Sequence, residues 1–233
     1  MSAVFKREFR SYFINPTGYI MLALYFLFTG LFFTNLFQYG YPDGSYVILS
    51  TLLLQVVIVP LLTMKLLSED RRQKVDQALF TAPVSLTKIV LGKFFAALAV
   101  FGVCNLLYVV YQIIFTVYSS PNWLIFVNCL INFMLLGAAM ISVGLFISSL
   151  TESPIISFIL TFAFSTFMLY FDSMASMIGQ EWLETAASYI SFYSRFSDAA
   201  NGIFTLADPL YFISFAGFFL FLTVRALEKK RWA

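Results

Sequence analysis

The chain has 233 residues, of which 61% are hydrophobic and only 11% charged, with a net charge of +2 and no histidine. Soluble domains carry about one quarter charged residues, so this composition excludes an ordinary soluble globule and predicts one all-α polytopic membrane domain over residues 1–233. The absence of histidine also excludes an H-E-x-x-H zinc site and a Ser-His-Asp triad.

In chain order, the first predicted element is an amphipathic helix over residues 3–14. Val4, Phe5, Phe9, Tyr12 and Phe13 share one face, and Lys6, Arg7 and Arg10 point toward headgroups. Such an interfacial helix is either a topology anchor or an elbow that moves with the span behind it. The following apolar run is longer than the core of a signal peptide and lacks a small-x-small cleavage pattern, so no cleaved leader is expected. Six stretches reach or approach the ~20 apolar residues of a crossing: 17–37, 46–67, 88–117, 123–150, 154–171 and 209–226. The third and fourth exceed one crossing, which predicts tilt or extension beyond the bilayer. Pro60 removes a backbone hydrogen bond from the second span and predicts a kink there. Gly137, Gly144 and Ser148 put small side chains along one side of the fourth and predict close helix packing. Cys104 and Cys129 lie in apolar runs and read as small hydrophobes.

Charge placement orients the bundle. Thirteen of the fourteen Lys and Arg residues flank the N-terminus, the connection between spans two and three, or the C-terminus; Arg195 is the exception. The positive-inside rule then places both termini in the cytosol. The island from Lys65 to Lys93 stands out in an otherwise apolar chain. A surface helix over 68–80 is expected there, and Glu69, Asp70, Arg71, Arg72, Lys74, Asp76 and Leu79 are candidate residues for docking a soluble partner. The plainer readings are a solvated face or contact with anionic lipid headgroups.

Inside the spans, uncharged polar residues take the place of the ionisable groups that ion-coupled carriers use. Asn105, Gln112, Asn128 and Asn132 are candidates either for interhelical hydrogen bonding or for lining a pathway. Residues 172–208 are too long for a turn and too polar for a span. Two short amphipathic or re-entrant helices are expected there as an outer cap that is either a gate, with Phe196 a candidate gate residue, or inert packing. Catalytic motifs are missing. The pair Gly92-Lys93 has Thr87 where a phosphate-binding loop needs its first glycine and Phe94 where it needs a hydroxyl. Glu69 and Asp70 lie among arginines at the surface, which does not suit acid–base work. The expectation is a chain that is not itself an enzyme, has no catalytic residue, and binds no metal, cofactor or nucleic acid.

Several stretches carry a family resemblance. LLTMKLLSEDRRQ and LFTAPVSLTKIVLGK, between Leu61 and Lys93, resemble the membrane subunit of type-2 ABC exporters, and more narrowly the gliding-motility and nitrous-oxide-accessory branch of those permeases. FISSLTESPIISFILTF (Phe146–Phe162), RFSDAANGIFTLADPLYF (Arg195–Phe212) and FLFLTVRALEKKRW (Phe219–Trp232) are similar to the family in the same order. The chain departs from it at Lys74-Val75-Asp76-Gln77, where the family often has Gly-Thr-Leu-Glu. The resemblance implies a coupling helix over 68–80 that docks on a separate ATPase, present in two copies and carrying the ATP and Mg. It also implies a second permease, identical or homologous, with spans one and five near the shared interface. Location in the inner membrane of a prokaryote follows from the same likeness. The expected function is a permease that couples ATP hydrolysis to export. The alternative is a permease-like subunit that transmits motion to an accessory extracytoplasmic membrane protein and moves no solute.

Overall fold

A computed structural model describes residues 2–40, 43–72 and 85–231. Among the described residues every regular element is a helix. The first five are α1 (Ser2–Ile14), α2 (Pro16–Gln38), α3 (Gly44–Ser50), α4 (Leu52–Thr63) and α5 (Ser68–Arg72). The long central pair follows, α6 (Leu86–Tyr118) and α7 (Trp123–Leu150). The last five are α8 (Pro154–Leu169), α9 (Phe171–Ile178), α10 (Glu181–Ile190), α11 (Phe192–Ala200) and α12 (Ala207–Arg231). An all-helical answer is what a lipid-facing chain requires, since each helix satisfies its own backbone groups.

Among the described residues five helices are long and apolar enough to cross a membrane: Gly18–Gln38, Leu52–Arg72, Leu86–Tyr118, Trp123–Leu150 and Ala207–Lys229. The pair α8 and α9, bent by 59°, makes a sixth when taken as one broken span. At 33 residues, α6 is about 50 Å long, well beyond a hydrocarbon core of about 30 Å. Local chemistry sets several boundaries. Pro16 and Pro154 begin α2 and α8, where their missing N–H groups cost nothing. The Asn122 side chain accepts from Leu124 N and Ile125 N and caps α7.

Two segments differ from the sequence expectation. The second span was expected to run from Tyr46 to Leu67 with its irregularity at Pro60. The helix instead breaks at Thr51 (φ −93°, ψ 4°), and Pro60 sits inside α4. The Thr51 hydroxyl donates to the carbonyls of Val47 and Ile48 at 3.0 and 2.9 Å and lies 2.6 Å from the Tyr108 hydroxyl, which stabilises a break there. In the stretch 172–208, three short helices stand where two were expected. The additional one, α9, continues α8 at an angle and ends at Gly179, whose φ of +71° stops a helix at little cost.

The bundle is organised around α7. Helices α4, α6, α8, α11 and α12 all pack on it. A Cβ at Gly137 would overlap the Phe101 ring, and one at Gly144 would overlap the Thr63 side chain. Span four therefore approaches spans two and three through its glycines, as small-residue packing in membranes requires. By contrast, α2 is attached along one stripe, Gly18, Met21, Tyr25 and Thr29, and most of its remaining surface is exposed.

Candidate functional site

The charged island gathers at one end of the bundle around the turn between α4 and α5. That turn leaves backbone amides open, as helix starts do. The Ser148 hydroxyl on α7 accepts from Leu67 N at 3.1 Å and from Ser68 N at 3.0 Å. One helical turn further, the Arg71 guanidinium donates to the Leu150 carbonyl at 3.0 Å and pairs with Glu152 at 2.9 Å. The C-terminal end of span four is thus bonded directly to α5.

Lys93 is the second fastening. Its side chain is 1% exposed, its Nζ lies 2.7 Å from Asp70 and 3.0 Å from Glu8, and it donates to the Leu66 carbonyl at 2.5 Å. An ammonium has three protons to donate; here it donates to Glu8 Oε1 and to the Leu66 carbonyl, and the Asp70 carboxylate faces it as an ion pair. Burying such a cation costs several kcal/mol unless it is paired and hydrogen-bonded, so the arrangement holds α1, α5 and α6 in register. Arg7 adds a further contact to Glu8 at 2.5 Å. Burial works against the Arg7 cation, but the Glu8 hydrogen bond and charge, with Asp70 behind them, leave its pKa raised. Tyr12 on the same helix donates to the Leu62 carbonyl at 2.6 Å. Its hydroxyl pKa is pushed up by burial and by the Glu8 charge, which keeps it a donor.

The expected docking residues divide by orientation. Asp70 and Arg71 are spent on contacts within the chain. Glu69 is half-buried, and Arg72 is exposed. Lys74, Asp76 and Leu79 lie outside the described residues, as does the rest of the helix expected over 68–80.

The polar residues within the spans form a separate layer. Tyr25 on α2 donates to Asn105 Oδ1 at 2.5 Å and lies 3.0 Å from the Tyr108 hydroxyl, which meets Thr51 in turn. Gln112 accepts from Gly44 N at 2.7 Å and so anchors the start of α3. Asn132 donates to the Asn128 carbonyl at 3.0 Å, and Asn128 donates to the Ala199 carbonyl on α11 at 3.3 Å. Phe196 is fully buried, with its ring centroid 5.9 Å from that of Phe133. Each of these five candidates makes a contact between packed elements, or bonds to a neighbour that does. Both amide atoms of buried Gln55 are without a hydrogen-bond partner among the described residues.

Sequence reasoning missed Glu8, Ser148 and Glu152 as parts of the charged end, and it placed Lys93 at the edge of the charged island without reading it as a buried fastening. The available signal was its position two turns inside an apolar helix, too deep for a side chain that only marks a membrane edge.

One family model matches the chain, described as ABC-2 family transporter protein, and the match covers residues 33–224. No curated protein matches it.

Proposed function

The chain belongs to the ABC-2 family of transporter proteins, and we propose that it is the permease through which a separate ATPase subunit drives export. As an ABC-2 permease it is an integral membrane protein, with spanning helices to match. The observation that carries the proposal is the double fastening of α5, to α7 through Arg71 and Ser148 and to α1 and α6 through Lys93. A force applied to α5 reaches spans two, three and four without crossing a flexible joint. Exposed Arg72 faces the ATPase on this reading, while Asp70 and Arg71 hold the lever to the bundle. ATP and Mg belong to that ATPase, in two copies, and both termini of the permease face the cytosol of a prokaryotic cell.

Asn105, Gln112, Asn128 and Asn132 each bond within the one chain, which on this reading puts the transport path between two permeases. The apolar faces of α8 (Ile155, Ile159) and of α2 (Tyr19, Phe26), all exposed in the single chain, are where a second permease would pack. The stretches from Leu61 to Lys93 and from Arg195 to Phe212 support the narrower gliding-motility and nitrous-oxide-accessory branch. A second reading, transmission of motion to an extracytoplasmic partner, is favoured by the exposed Trp182 and Tyr189 on α10.

The test is co-purification of the ATPase with variants of the permease. Arg72→Glu should lower ATPase capture by at least about tenfold, since like charges at an interface cost several kcal/mol and each ~1.4 kcal/mol is tenfold, while the melting temperature of the permease stays within about a degree or two. Full capture by this variant would remove the docking assignment.

A further inference from the structure

A cavity of about 480 Å³ opens beside the charged joint, between α1, the first turns of α2 and the α4–α5 turn. Its volume lies within the range of small-molecule sites, and its walls are divided by polarity. Arg7, Lys65 and Glu69 are among the charged lining residues and Ile20, Leu24 and Leu61 among the apolar ones, and Leu61, Lys65 and Glu69 succeed one another at four-residue spacing, so the charge lies toward α5 and the apolar wall toward the span. Lys65 is half-buried, and it has no ion-pair partner among the described residues. The apolar wall does not stop at the rim. Ile20, Leu24, Leu27 and Leu31 follow at helical spacing along one exposed side of α2, forming a stripe that leads from the cavity toward the middle of the membrane.

We propose that this cavity binds one phospholipid of the leaflet at the charged end, with its phosphate between Arg7 and Lys65 and its acyl chains along the Ile20–Leu31 stripe. A polar floor with an adjoining apolar groove requires an amphiphile, because an inorganic anion would leave the stripe bare and a hydrocarbon would leave Lys65 unanswered. The rim carries both signs of charge: Arg7 and Lys65 stand with Glu8, Glu69 and Asp70, and Lys93 lies against Glu8 and Asp70, so three cations balance three carboxylates. A zwitterionic head, phosphate with a primary ammonium, therefore fits better than an anionic one. The lipid would fill the angle between α1 and α4 and stiffen the same joint that Lys93 fastens. The inference is independent of whether the chain exports a solute.

The experiment uses the purified full chain and native mass spectrometry to count retained lipid. The chain is offered phosphatidylethanolamine, phosphatidylglycerol, diacylglycerol or soluble glycerophosphoethanolamine in turn. Phosphatidylethanolamine should be retained most strongly, phosphatidylglycerol less, and the other two not at all. Lys65→Gln should weaken retention about fivefold, the effect of one basic residue on a lipid phosphate, and Leu24→Trp, which fills the apolar wall, should weaken it comparably. Val110→Ala, on the exposed side of α6, should change nothing. Equal retention by wild type, Lys65→Gln and Leu24→Trp would overturn the site. Diacylglycerol binding as well as phospholipid would overturn the phosphate contact, and competition by soluble glycerophosphoethanolamine would reassign the cavity to a free phosphate ester. A preference for phosphatidylglycerol would overturn the zwitterionic assignment. If either variant fails to fold, a photoactivatable phosphatidylethanolamine on the unaltered chain decides the matter. Labels within 7–31 and 61–70 support the site, and labels found only elsewhere refute it.

Discussion

The charged end and the middle of the bundle both bury polar groups, but they use opposite chemistry. At the charged end, Lys93 binds a carboxylate on α1, a carboxylate on α5 and a carbonyl in the turn before α5. In the middle, Tyr25, Asn105, Tyr108 and Thr51 exchange neutral hydrogen bonds. Ion pairs are expensive to break one partner at a time, because the remaining charge is stranded. Neutral bonds in membranes average about 0.6 kcal/mol, since the loosened helices find other partners. On the proposed function, the contrast makes the charged end the part that moves as one body, and the middle a layer that aligns helices without locking them.

The largest expected effect comes from removing the shared cation. Lys93→Met strands Asp70 and leaves Glu8 with Arg7 alone, and should destabilise the chain by about 2–3 kcal/mol, below the range for a fully buried pair because both carboxylates keep some exposure. Adding Glu8→Gln and Asp70→Asn to that variant should recover most of the loss in a thermal melt. If the triple variant melts no higher than the single one, Lys93 acts by packing, and the contrast with the middle layer fails.

An intermediate effect is expected where the helices touch. Gly144→Val places a side chain against Thr63 and Thr161, and overpacking of this kind costs about 1–3 kcal/mol. Gly217 has nothing within reach of a new Cβ, so Gly217→Ala should leave the melt unchanged. Equal tolerance at the two positions would mean that span four is less tightly held than described.

The smallest effect belongs to the neutral layer. Tyr25→Phe removes the donor to Asn105 and should cost about 0.6 kcal/mol, and no more than about 1.7, read as a small downward shift in melting temperature. A loss as large as that of Lys93→Met would put the two regions on the same footing.

These differences explain what could be read from the sequence. The spans were legible because a bilayer imposes length and hydropathy on each helix separately, and the island from Lys65 to Lys93 was legible by contrast with the apolar runs around it. The glycines of span four were legible as packing residues for the same local reason. Lys93 was not, because its meaning depends on Glu8, 85 positions away in sequence, and no local pattern announces that pairing. The break at Thr51 was hidden too. Pro60 was the conspicuous residue, yet Thr51 has the cross-chain partner, Tyr108, that fixes the break. The orientation of Asp70 and Arg71 was out of reach for a related reason: a run of alternating charges looks equally solvated on every face until its neighbours are known.

The central claim is that the charged end transmits force from the ATPase to the spans. Its most direct test is ATP hydrolysis by the reconstituted complex carrying Lys93→Met, measured at a temperature where the permease remains folded. The account predicts that the ATPase still binds, through Arg72, while the change in hydrolysis rate that the wild-type permease produces is lost. A wild-type rate in that variant, with the ATPase bound and the permease folded, would contradict it.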